Sequence, residues 1–275
     1  MKTKVNFIIG LMLISFFSCK NEEKKEVFSD QKVAKEFELQ QDKSKMDSLV
    51  MDNGIKIHWI QKGKGDKIVL ADCINIDYKV FLKDGKLIEG NHMLHKSSFP
   101  FVVGFKMQTD GWDIAMEQLH IGDEVEIFIP SKLARGEKGV EGIIPPNADN
   151  IVYLKAIEKR KPTREIDGNK VYVFEENRKN KVKFNRENTI VFHSMTSTPT
   201  NPLYFNSFRT NQPFTLKMKD AGIVPGLKKA LNNAKKADRM YVVVPAQEAY
   251  GAQGYLDIVK SNEPLLFNIF VMDVF

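Results

Sequence analysis

Cysteine is almost missing from this chain of 275 residues; only Cys19 and Cys73 are present. Two cysteines exclude a disulfide-stapled scaffold and a zinc site built of several thiolates. Cys73 lies in an alternating apolar segment and reads as a buried small hydrophobe, not a nucleophile. Histidine is scarce too. Of His58, His92, His95, His120 and His193, only His92 and His95 are close, and neither has a cysteine partner, so no metal site is expected. No serine sits in a nucleophile-elbow motif, no glycine-rich loop is spaced to cradle phosphate, and Asp and Glu alternate with Lys without forming an acid–base pair. No cofactor is implied. Long apolar runs are also lacking: the longest, Val5 to Phe17, falls short of the ~20 residues that span a bilayer. Charge of one sign gathers on no periodic face. The formal net charge of +6 is spread among acidic residues, which argues against nucleic acid as a partner.

What is present begins with the leader. Lys2 and Lys4 precede the apolar run, which ends at Ser18-Cys19, the layout of a secretory signal peptide over residues 1–18. Its removal would leave a charge of 6 − 2 = +4. The junction Phe16-Phe17-Ser18-Cys19 resembles a bacterial lipobox, although its phenylalanines depart from the usual Leu-small-small pattern. The resemblance implies an exported protein with Cys19 acylated, anchored by several chains where one would hold only marginally. Lys20, after the cysteine, is not the residue that usually retains a lipoprotein in an inner membrane. The expected location is therefore an outer membrane, facing periplasm or surface.

Residues 19–48 are rich in Lys, Glu, Asp and Gln and poor in aromatics, so they cannot bury enough apolar surface to order themselves. They read as a tether, with a short helix possible over Val33 to Leu39. Beyond it the chain repeats. Gly111 and Gly226, Pro130 and Pro245, and Gly136 and Gly251 are each 115 residues apart. A constant offset across unlike motifs marks a duplicated domain. The joint falls in the basic, proline-containing stretch Lys159 to Arg164, giving domains over 49–161 and 162–275. Hydrophobic residues at 43% supply a core for each.

Apolar alternation predicts strands over Lys56–Ile60, Ile74–Leu82 and Val125–Ile129, then over Val171–Phe174, Thr189–Met195 and Met240–Val244. A short helix is predicted after each glycine, Trp112–Leu119 and Leu227–Ala234. The fold class is α+β: in each copy a mostly antiparallel, curved sheet with one short helix across it.

In the first copy Tyr78, Lys83-Asp84-Gly85, Pro100-Phe101, Gly111-Trp112, Ile129-Pro130, Leu133-Ala134 with Gly136, and Gly142-Ile143-Ile144-Pro145-Pro146-Asn147 follow in order. On these residues it resembles a whole FKBP-type peptidyl-prolyl cis-trans isomerase domain. The second copy keeps Tyr204-Phe205, Pro213-Phe214, Ile223-Val224-Pro225-Gly226, Ala249-Tyr250-Gly251 and Leu265-Leu266-Phe267. Leu256-Asp257-Ile258-Val259 stands where the first has Ile-Pro-Pro-Asn.

The resemblance implies a shallow apolar pocket for a proline ring, lined in the first copy by Tyr78, Phe101, Ile144 and Val152 over a Trp112 floor, with Glu89 at the usual Asp position. In the second it implies Phe205, Phe214, Ile223, Val224, Leu227, Tyr250 and Phe267, with Asn206 at the Asp position and Ser194 at that of the strand Tyr. The first copy departs at Ile88-Glu89 for Phe-Asp, Gln108-Thr109 for Val-Ile, and Arg135 for Tyr. Three functions stay open: an isomerase and folding helper for exported proline-containing chains, a catalytically weak or inactive binding module in an envelope (secretion or motility) assembly, or one active copy beside one structural copy. Phe, Trp and Ile at these places would also serve as plain core.

Overall fold

A computed structural model describes residues 47–176, 179–202 and 204–275. The leader, Cys19, nearly all of the tether and the Val33–Leu39 helix lie outside the described residues. The described residues fall into two compact units, one of residues up to 68 with 75–99 and 108–158, the other of residues 69–74, 100–107 and 159–275.

The first sheet is built from β1 (Ser48–Val50), β2 (Lys56–Gln61), β3 (Cys73–Leu82), β4 (Leu87–Gly90), β5 (Phe99–Val102), β6 (Glu124–Ile129) and β7 (Asn150–Lys159), with helix α1 (Asp110–Met116) between β5 and β6. Its order is β1-β2-β6-β7-β3-β4, with β5 paired to β3. Alternation decides which side chains face the core. On β3 Ile74, Ile76, Tyr78 and Val80 are buried, while Asp77 is exposed; on β6 Val125, Ile127 and Ile129 are buried. A register shift between Val80 and Phe81 interrupts the β3–β4 ladder, the kind of irregularity that bends a strand.

The second sheet contains β8 (Arg164–Ile166), β9 (Asn169–Glu175), β10 (Thr189–Ser197), β11 (Phe205–Asn206), β12 (Phe214–Lys217), β13 (Arg239–Val244) and β14 (Leu265–Val274). A single-turn helix α2 (Ser207–Thr210) follows β11, and α3 (Pro225–Leu231) precedes β13. The order, read from β8, is β8-β9-β13-β14-β10-β11, with β12 paired to β10. Adding seven to each strand number of the first sheet reproduces it. The duplication seen in residue offsets is thus a duplication of topology.

Every predicted strand is present, with ends within two residues of those expected. Both helices start earlier and stop earlier than expected. Asp110 and Pro225 are already helical, proline being well suited to the first turn because its missing N–H would have no partner there. The second helix ends before Asn232-Asn233, where Asn233 takes a left-handed φ of 67°. Ser48, assigned to the tether from sequence, already pairs with His58.

The glycine inside each helix has a packing reason. A Cβ on Gly111 would run into Ile129 Cγ2 and lie 3.0 Å from the Leu133 carbonyl. One on Gly226 would meet the Asn169 side chain, Val244 Cγ1 at 2.6 Å and Glu248 Cβ at 3.0 Å. Ile129 and Val244, like Leu133 and Glu248, are themselves 115 residues apart. In both copies the helix lies on the end of the strand more closely than any other residue permits. Gly226→Ala should therefore lower unfolding free energy by about 1–3 kcal/mol, an overpacking cost that outweighs alanine's better helix propensity. Denaturant unfolding of the full chain measures it; an unchanged midpoint would show that the contact is not tight.

Candidate functional site

The residue after each close-packed glycine is held at a defined depth. In the first copy it is Trp112, 3% exposed on α1. Tyr78, from β3, stands edge-on to it with ring centroids 5.3 Å apart and planes at 87°. Phe99 of β5 meets Tyr78 on another side, at 6.4 Å and 77°. Phe101 on β5, Val152 on β7 and Ile144 in the loop before β7 are also buried.

The departures in the first copy form one connected structure. The Tyr78 hydroxyl donates to Glu89 Oε1 at 2.8 Å, and the Gln108 amide donates to the same oxygen at 2.7 Å. The Arg135 guanidinium donates to Gln108 Oε1 at 3.0 Å. Burial pushes the Tyr78 phenol well above its usual range, and the neighbouring Glu89 carboxylate adds to the shift. Burial lowers the Arg135 pKa, with Glu89 opposing the change. Next to Gln108, the Thr109 hydroxyl is buried without a hydrogen-bond partner.

In the second copy Val224, Leu227 and Phe267 belong to one buried apolar cluster, with Phe214, Ile223 and Tyr250 packed against it. Phe205 joins through Phe214, at 4.8 Å between centroids. All seven residues expected at this site thus lie in the second apolar core or pack against it. Three more join them. Phe192 stacks on Phe214 at 5.4 Å, Tyr255 stacks on Tyr250 at 4.8 Å, and the Tyr204 hydroxyl lies 3.4 Å from that of Tyr250. Burial, then the Tyr250 hydroxyl, raises the Tyr204 pKa. Tyr204 was visible beside Phe205 in sequence; Tyr255 was not, because its counterpart 115 residues earlier is Val140.

One expected correspondence is corrected. Asn91 Oδ1 accepts from the Tyr78 backbone N–H at 2.7 Å, and Ser207 Oγ accepts from that of Ser194 at 2.8 Å. With Tyr78 matched to Ser194, Lys79 opposite Gly90 corresponds to Met195 opposite Asn206. Phe205, not Asn206, thus occupies the place of Glu89. Asn206 instead caps α2, accepting from the Phe208 and Arg209 N–H groups.

The Ile-Pro-Pro-Asn loop also has a counterpart, which is Val259-Lys260-Ser261-Asn262 and not Leu256–Val259 as expected from sequence. Val140 N–H donates to the Ile144 carbonyl at 2.8 Å, and Tyr255 N–H to that of Val259 at 2.9 Å. Asn147 and Asn262, both left-handed at φ 59°, each donate a backbone N–H to the carbonyl of Gly136 or Gly251. Val259, 1% exposed, takes the place of Ile144. The loop is held by backbone bonds, so its sequence was free to change.

Comparison with known proteins gives the family. The family model described as FKBP-type peptidyl-prolyl cis-trans isomerase matches residues 64–153 and again 178–272, and the chain belongs to that family. It is 24% identical over 203 residues to peptidyl-prolyl cis-trans isomerase FKBP10 of Mus musculus, covering 74% of this chain and 34% of that protein. It is 28% identical over 123 residues to outer membrane protein MIP of Legionella longbeachae, covering 45% of this chain and 52% of the relative. The chain thus spans about a third and about half of their lengths. Among solved structures, the three FKBP domains of wheat FKBP73 align at 20% identity and a TM-score of 0.40, over 82% of this chain and 96% of theirs.

Cys73 is fully buried, and that burial pushes its thiol from the usual value up to about 12. The attacking species in alkylation is the thiolate. At pH 8 the folded chain should react with iodoacetamide at Cys73 far more slowly than the unfolded chain, as read by peptide mass. Equal rates would contradict the burial.

Proposed function

We propose that the chain is a peptidyl-prolyl cis–trans isomerase acting on exported or envelope polypeptides, held at a bacterial membrane through acylated Cys19. The observation that supports the isomerase reading is that the family's apolar positions are buried in the first copy, where Tyr78 stands edge-on to Trp112, and in the second lie in or against the apolar core that holds Leu227. The barrier to rotation about an X–Pro bond, ~18–20 kcal/mol, arises from amide resonance. Uncatalysed exchange takes tens to hundreds of seconds. The planar imide carries more charge separation than the twisted one, so a dry aromatic wall costs the planar state more. Binding that favours the twisted state over the ground state is catalysis without a nucleophile. Hydrogen-bond donors at the rim then hold the carbonyls beside the proline. Trp112 and Leu227 would form the floors, with Tyr78, Phe101, Ile144 and Val152 around the first and Phe205, Phe214, Ile223, Val224, Tyr250 and Phe267 around the second.

A second reading, a binding module of an envelope assembly with little catalysis, is favoured by one observation. Gln108 and Arg135 place polar groups where the family has apolar and phenolic ones. The two readings separate in a proline-exchange assay of the full chain on peptides with varied residues before proline. The isomerase reading expects acceleration of at least an order of magnitude, reduced by Trp112→Ala or Tyr250→Ala and abolished when both are changed. A folded chain that binds peptides and accelerates none supports the binding module.

The membrane placement rests on the lipobox resemblance, on the about 20-residue length a spanning segment needs, and on the envelope location in the name of the Legionella relative. No helix among the described residues is long and apolar enough to cross a membrane. In cells fed a labelled fatty acid, the chain should carry label that Cys19→Ser removes. A leader cleaved elsewhere, with no label, would make it an unanchored exported protein.

A further inference from the structure

The two sites differ in how much of their walls water reaches. Of Tyr78, Trp112, Ile144 and Val152 in the first, none is more than 6% exposed. In the second, Phe205 is 37% exposed, and Phe214, Ile223 and Tyr250 are half-buried. A cleft that admits a proline ring shows part of its wall to water while it is empty. By that measure the second site stands open, and the first is shut around its own side chains.

A chain of hydrogen bonds accounts for the closure. It runs from Tyr78 on β3 to Glu89 on β4, on to Gln108 just before α1, and ends at Arg135 in the loop after β6. Four separate segments are thereby tied together, and the first of them holds Tyr78 edge-on to Trp112. Two of the bonds end on the Glu89 carboxylate, whose charge strengthens them. The same carboxylate attracts the guanidinium at the far end. In the second copy the equivalent residues are Ser194, Phe205, Ile223 and Tyr250. Arg135 and Tyr250 hold the same backbone conformation, φ −101° and ψ −2° against φ −107° and ψ 0°. Phe205 and Ile223 have no side-chain donor or acceptor, so no such chain can form there. One group works against closure in the first copy. The Thr109 hydroxyl, next to Gln108, is buried without a hydrogen-bond partner, a costly state that opening to water would relieve. We infer that the bonds from Glu89 through Gln108 to Arg135 are a latch on the first site, so that the second site takes proline first and the first fills only when the latch is broken.

The inference rests on the reading of both pockets as proline sites, and adds to it how one of them is regulated. A site that is open only part of the time binds its ligand more weakly in proportion to the open fraction. The test is titration of the full chain with a short peptide that has leucine before its proline and uncharged, blocked ends. NMR follows the Trp112 indole N–H for the first site and the Leu227 and Tyr250 amides for the second. In the unaltered chain the first site should bind more weakly than the second. Gln108→Ile, which breaks two bonds of the chain and installs the second copy's residue, should tighten the first site by about tenfold, the scale of a hydrogen bond to a charged group, and leave the second unchanged. Arg135→Ala, which releases the far end, should tighten the first site as well and serves if the isoleucine variant fails to fold. Side chains that merely supported the first site would show the opposite, a loss of binding there. A first site as tight as the second in the unaltered chain, or one that neither variant tightens, would overturn the inference. Tightened binding without accelerated exchange at either site would defeat the isomerase reading alone. Accelerated exchange with no gain in either variant would defeat this inference alone. Absence of binding at both sites, in all three chains, would remove the proline reading and the latch together.

Discussion

The contact on which the rest of each domain depends is the seating of a short helix on the end of a strand, backbone against side chain, at Gly111 and Gly226. No Cβ fits there, so the helix backbone lies directly against the strand's side chain. The next side chain, Trp112 or Leu227, is thereby sunk to the bottom of the space between helix and sheet. In the proposed sites that residue is the floor, and in the first copy Tyr78 stands edge-on to it. The strand that brings Tyr78 to Trp112 and the loop that carries Ile144 or Val259 are positioned by pairing and backbone hydrogen bonds, not by the identity of the lining.

This division explains why the linings could diverge while the frame stayed the same. Backbone bonds hold the loop whether it reads Ile-Pro-Pro-Asn or Val-Lys-Ser-Asn, because what they require is a left-handed Asn147 or Asn262 and the carbonyl of Gly136 or Gly251. Rim side chains are under no such constraint. One copy carries a hydrogen-bonded chain from Tyr78 to Arg135, the other packed rings from the buried Phe192 through Phe214 to Phe205 and a stacked pair, Tyr250 and Tyr255.

Much of this was legible beforehand, for identifiable reasons. Period-two burial made β3 and β6 plain, and the 115-residue offsets exposed the duplication because glycines and prolines resist replacement where geometry requires them. Register was harder. Asn206 looked like the acidic partner of the strand because a polar residue followed Phe205, yet pairing shifts it by one place and gives the position to the phenylalanine. A one-residue slip is invisible to alternation in a strand of two residues. Gln108 and Arg135 were recognisable as departures, but not as partners. They are 27 residues apart and meet only through the fold.

The most direct test of the account is a crystal structure of the full chain with a proline-containing peptide bound. The account predicts a proline ring lying flat on the Trp112 indole in the first copy and over Leu227 in the second, with the carbonyl before the first proline facing the Gln108–Arg135 rim. Peptide bound along a sheet edge or elsewhere, with both pockets still closed around their own side chains, would contradict it. The residues gathered around the two glycine contacts would then be core alone.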